Sequence, residues 1–114
     1  MEQNIRLSLS PSNPGIGVVD KMVMKIHAPY SSDSVTIQFN PNIQDYKKNA
    51  DQPNVQIRQL TVTIPTEQTA VLLFDFKANN IHDVTIDDTK YNVKLMNIGK
   101  DQEFPYFDFF VTAP

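Results

Sequence analysis

Apolar and polar residues alternate along most of this chain. A period of two places successive side chains on opposite faces of an extended strand. In "NIRLSLS", Ile5, Leu7 and Leu9 share one face, with Arg6, Ser8 and Ser10 on the other. In "DKMVMKIHA", Met22, Met24, Ile26 and Ala28 alternate with Lys21, Val23, Lys25 and His27. "SVTIQFN" sets Val35, Ile37 and Phe39 against Thr36, Gln38 and Asn40. "VQIRQLTVTIP" begins with Val55 and Ile57 on one face and continues with Leu60, Val62 and Ile64, which have the opposite parity. A slip of one residue flips every side chain, so the pattern predicts a β-bulge or a break near Arg58–Gln59.

Three further segments complete the pattern. "AVLLFDFK" is apolar on both faces and reads as a central strand, with Leu72, Phe74 and Phe76 on its core side. "DVTIDDTKYNVKLMNI" reads as a hairpin. With Asp87–Asp88 as its loop, Val84 falls opposite Tyr91 and Ile86 opposite Thr89, which keeps the apolar set on one side. The closing strand runs from Tyr106 to Thr112. These are about eight short strands separated by proline, asparagine and aspartate, with no helical period longer than two turns. They predict an all-β fold, an antiparallel β-sandwich formed by a single domain spanning residues 1–114. In strand count and length the chain resembles immunoglobulin-like and transthyretin-like sandwiches, which occur in virion proteins, secretion-system lipoproteins and adhesive modules. The one long connection is "NPNIQDYKKNADQPN", fifteen residues from Asn40 to Asn54. Asn40 as cap and Pro41 at the first position allow one short helix at 41–50, with Ile43, Tyr46 and Ala50 on one stripe.

Composition narrows the function classes. The chain has 114 residues, no cysteine and a formal net charge of −3. Disulfides, cysteine nucleophiles and thiolate metal sites are therefore excluded. The longest basic run is Lys47–Lys48, too little to hold a phosphate backbone, so no nucleic-acid partner is expected. No apolar run approaches the ~20 residues of a transmembrane helix. "MEQNIRLSLS" lacks the basic start and apolar stretch of a signal peptide. The expectation is a chain without a leader, and an exported mature form is equally compatible.

Candidate chemistry is sparse. His27 is placed on the polar side of its strand and His82 just before a turn, at no metal-ligand spacing. Asp83, Asp87 and Asp88 cluster in one turn region and Asp101 and Glu103 in another, but neither has the alternating acids and glycine of a calcium loop. The serines of "PYSSDS" lack nucleophile-elbow glycines. Gly15, Gly17 and Gly99 are the only glycines, too few for a phosphate-cradling loop. Without tryptophan, a sugar platform would depend on Tyr30, Tyr46, Tyr91 or Tyr106. The chain is read as non-enzymatic, without cofactor or metal, and a small-molecule ligand is disfavoured.

One constellation stands apart. The last eleven residues hold five of the eleven aromatics, and "LLFDFK" and "YFDFFV" share Phe-Asp-Phe. Phe107 and Phe109 belong to the core. The second faces, apolar around one acid, are too greasy for open water and too charged for a dry interior. These residues form the candidate partner interface: Tyr106, Asp108 and Phe110 on one strand, Val71, Leu73 and Asp75 on the other. Ile43 and Tyr46 join them from the long connection. Cover comes from that connection, from the chain termini or from a protein partner, because aromatics beside a few polar groups are typical of interfaces. A catalytic pair of Asp75 and Asp108 would need the two side by side in a cleft. The leading expectation is an interaction module in a larger protein assembly, with a protein partner or self-association. The other is a ligand-binding module for a glycan or a calcium ion, using the 40–54 loop and the acidic turns.

Overall fold

The alternating segments become strands. The computed structural model describes residues 1–10, 13–40 and 70–114, with side chains at 13, 14, 28, 29 and 40 left aside. In chain order the strands are β1 (Glu2–Ser10), β2 (Asn13–Pro14), β3 (Ile16–Val19), β4 (Met22–Tyr30), β5 (Ser34–Asn40), β6 (Ala70–Asp75), β7 (Ile81–Ile86), β8 (Thr89–Asp101) and β9 (Phe104–Thr112). One sheet has the order β2-β1-β9-β8-β7 and the other β3-β4-β5-β6, with antiparallel neighbours throughout. The all-β antiparallel architecture expected from the alternation is present. The helix expected at 41–50, the break near Arg58–Gln59 and the 40–54 connection lie outside the described residues.

The core follows from parity. From the first sheet, Leu7, Tyr91, Val93, Leu95, Phe107, Phe109 and Val111 are buried. From the second come Met22, Met24, Val35, Ile37, Phe39 and Phe74. Ile5, Leu9 and Leu72 pack on this cluster, half-buried. Aromatic rings join the two layers: Phe74 meets Phe109 edge to face, with centroids 5.3 Å apart, and lies 6.2 Å from Phe39 on its own sheet. Such contacts add about 0.5–1.5 kcal/mol to the burial of the rings themselves.

Turn geometry sets the register. Asp87 and Asp88 both have positive φ, 47° and 67°, as a two-residue hairpin loop of the primed kind requires. Val84 is therefore paired with Tyr91 and Ile86 with Thr89, the expected register. Asp20 also has positive φ, 55°, in the tight turn between β3 and β4. These two turns are tied together. The buried Tyr91 donates its hydroxyl to Asp20 Oδ2 at 2.6 Å, and Lys21 Nζ donates to the Asp87 carbonyl at 3.1 Å.

Two placements differ from the sequence reading, and β6, read as a central strand, is the last strand of its sheet among the described residues. Val23, grouped with the polar side of β4, is buried. Phe76, assigned to the core side of β6, lies in the turn after it and is exposed, because that strand ends at Asp75. There the Asp75 side chain accepts from the Lys77 and Ala78 amides and stops the strand.

Two outcomes follow from this core. Phe109→Ala should lower the unfolding free energy by about 3–5 kcal/mol in urea titrations, the cost of deleting a buried ring with little room for collapse. The second outcome concerns pH. Burial first, and then the hydrogen bond to Asp20, push the Tyr91 phenol up to about 12. Its unfolded value is near 10, so the native state holds the phenolic proton more tightly. Stability from this group is complete below about pH 10 and is lost as pH rises through about 12. Urea midpoints measured across that window should fall for the native chain and fall less steeply for Tyr91→Phe.

Candidate functional site

The eight residues singled out from the sequence fall into three groups. Tyr106, Asp108 and Phe110 project from the outer face of β9, each half-buried. Val71 and Leu73 project from the outer face of β6 and are exposed, with Asp75 half-buried at its end. β6 and β9 belong to different sheets, so the structure does not bring these groups into one patch. Ile43 and Tyr46 lie outside the described residues.

The β9 group is largely satisfied within the molecule. Arg6 stands opposite Asp108 in the β1–β9 register. Its Nε donates to Asp108 Oδ1 at 2.7 Å and its Nη2 to Oδ2 at 3.0 Å, a two-pronged pair. The same guanidinium lies 3.9 Å from the centroid of the Tyr106 ring. The hydrogen bond that Arg6 donates to Asp108 raises the affinity of the guanidinium for its proton. On its other flank Tyr106 leans over Gly99, its partner on β8, where a side chain would occupy the space of the ring. Phe110 stands between Asn4 of β1 and Lys94 of β8. The acid in this aromatic face is thus one half of an ion pair.

The β6 group is open. Val71 is 48% exposed and Leu73 53%, and the structure exposes two further apolar residues that sequence reasoning missed, Phe76 at 42% in the turn after β6 and Ile81 at 47% on β7 of the other sheet. These four account for half of the exposed large hydrophobic side chains among the described residues. Phe76 was missed because the strand was extended two residues too far, to Lys77. Ile81 was missed because it begins a strand whose alternation was read from Val84 onward. Met96, also exposed, sits where β8 gains a residue against β9, two positions beyond Lys94, the partner of Ile81.

Between the β6 and β7 edges stands His82. It is the second residue of β7, not a residue before a turn, and its ring meets Phe74 edge to face at 4.6 Å. Its Nε2 lies 2.6 Å from the Leu73 carbonyl, and since a carbonyl only accepts, the imidazole donates. One residue pair further on, the Asp75 and Asn79 backbones exchange both their hydrogen bonds, at 2.9 and 2.8 Å. The Leu73 carbonyl and both backbone groups of Asp75 are therefore engaged by β7 and its approach.

The other acids singled out from the sequence include Asp83, which has a structural occupation. Asp83 accepts from Asn92 Nδ2 at 3.0 Å and lies 3.5 Å from Lys90 Nζ, and these neighbours hold its carboxyl below the ordinary aspartate value. Asp75 and Asp108 face away from the sandwich on opposite sides and have separate partners. Among the described residues, no three His, Asp or Glu side chains are grouped so as to hold a metal ion. No helix among them is long and apolar enough to cross a membrane. No family model matches the chain, and neither a curated protein nor a solved structure matches it.

If Asp108 serves the fold through Arg6, Arg6→Ala should lower the melting temperature only slightly, far less than Phe109→Ala. High salt should erase most of the difference between the native chain and the variant, because the pair is exposed and screened. Thermal melts at low and high ionic strength measure both effects.

Proposed function

We propose that this chain is a non-enzymatic β-sandwich interaction module, a small structural or accessory component of a larger protein assembly. The observation that carries this reading is the pair of exposed apolar side chains Val71 and Leu73 on the outer face of β6, with Phe76 exposed in the turn that follows. Exposed apolar surface of this kind marks a contact with another macromolecule. The way β6 is closed refines the mode of contact. The Leu73 carbonyl and both Asp75 backbone groups are already bonded to His82 and Asn79. A partner strand would have to displace these bonds, which disfavours strand addition at this end of β6. The partner docks on side chains, and the energy concentrates in a few large apolar anchors.

The non-enzymatic part of the proposal has its own support. A paired-carboxylate mechanism needs two acids facing one space, and Asp75 and Asp108 face opposite sides of the sandwich. Asp83 and Asp108 are each committed to a basic neighbour.

The test compares the native chain with Leu73→Asp, each tagged and returned to the cell of origin. The native chain should elute in a complex much heavier than itself. Leu73→Asp should elute as the isolated chain with nearly unchanged melting temperature, since substitutions of exposed residues typically shift stability by less than about 0.5 kcal/mol. A native chain that runs alone at every concentration, or a variant that assembles normally, contradicts the proposal.

A further inference from the structure

Apart from the β6–β7 edge, one cleft of about 640 Å³ opens between the turn after β4 and the far end of the β8–β9 hairpin. This volume falls in the range of small-ligand sites, roughly 300–1,000 Å³. We propose that this cleft binds a neutral oligosaccharide, with Tyr30 as its platform.

The local structure aims Tyr30 into place. Between His27 and Tyr30 the β4–β5 register shifts, which turns the end of β4. The Tyr30 ring meets Phe107 at 6.0 Å and 74°, so the core holds it, yet the side chain is 46% exposed. No other tyrosine among the described residues has this freedom. Tyr91 is buried and bonded to Asp20, and Tyr106 lies against the Arg6 guanidinium. The turn is stiff: Ser31 Oγ bonds Asp33 Oδ1 and Ser34 Oγ, each at 2.8 Å, and accepts from the Ser34 amide at 3.1 Å. Ser31 is thereby used up, whereas Ser32 Oγ has no side-chain partner among the described residues.

The chemistry of the lining selects the ligand class. Lys100 and Glu103 both line the cleft, and among the described residues neither side chain makes a hydrogen bond or ion pair. Their charges cancel, so neither an anion nor a cation gains net attraction. A wholly apolar ligand would strip water from the ammonium, the carboxylate and the Ser32 hydroxyl without replacing their hydrogen bonds. A pyranose satisfies all of these groups. Its C–H face lies on the tyrosine ring and on the apolar wall of Ile98 and Pro105. Its hydroxyls donate to Glu103 and accept from Lys100 in charge-assisted hydrogen bonds. This inference is independent of the apolar β6–β7 edge, and either can fail alone.

The test titrates the ¹⁵N-labelled full chain with neutral trisaccharides of glucose, xylose, mannose and N-acetylglucosamine, followed by amide chemical shifts. At least one should give saturable shifts confined to residues 30–32 and 98–103. Tyr30→Ala should weaken that binding by about tenfold or more, as loss of an aromatic anchor does. Glu103→Gln, an exposed change that leaves the fold untouched, should weaken it as well. Absence of saturable shifts with every sugar up to its solubility overturns the proposal. So do shifts that map elsewhere, or unchanged affinity in both variants. A sulfated trisaccharide or a short-chain detergent that binds where the neutral sugars do not overturns it too.

Discussion

The packing of Phe74 into the opposite sheet, ring against ring with Phe109, fixes much of the rest of the described structure. Side chains on a strand alternate, so a strand that sends Phe74 and Leu72 inward must send Val71 and Leu73 outward. In the interior of a large sheet covered on both faces, that would cost nothing. β6 is the last strand of its sheet among the described residues, and its outer face remains in water. The outward direction of Val71 and Leu73 thus follows from how the core is closed. The same ring also positions His82, which packs on Phe74 and spans from one sheet to the backbone of the other.

Much of the fold was legible because parity and turn chemistry are local. The Asp87–Asp88 loop, the pairing of Val84 with Tyr91, and the burial of Leu7, Phe39, Phe107 and Phe109 all follow from residues a few positions apart. What was not legible depends on which strands become neighbours. Nothing local tells that β1 lies beside β9, so the acid at Asp108 looked like an unpaired charge in a greasy face until Arg6 was found opposite it. Nothing local tells which strands flank β6, the last strand of its sheet among the described residues. Phe76 carried the right parity for the core but followed an aspartate whose side chain bonds the next amides and ends the strand.

The candidate site changes character in the same way. Two Phe-Asp-Phe segments suggested one mixed surface. The structure separates them: one is closed by an arginine that serves both the acid and the tyrosine, and the other is left open with additional apolar neighbours. The turn beside the Tyr30 cleft is not isolated from that open edge, because the Phe76 amide donates to the Asp33 carbonyl at 2.8 Å.

The central claim is that Val71 and Leu73 are bare while Phe74, their strand neighbour, is sealed. The chain contains no cysteine, so single cysteines report each position without background. The decisive measurement is the rate of thiol modification of Val71→Cys, Leu73→Cys and Phe74→Cys in the native chain, compared with the same variants in denaturant. The account predicts that the first two react at nearly the unfolded rate and that Phe74→Cys reacts only through unfolding, slower by orders of magnitude. Equal protection at all three positions would contradict it, since the β6 face would then already be covered within the chain.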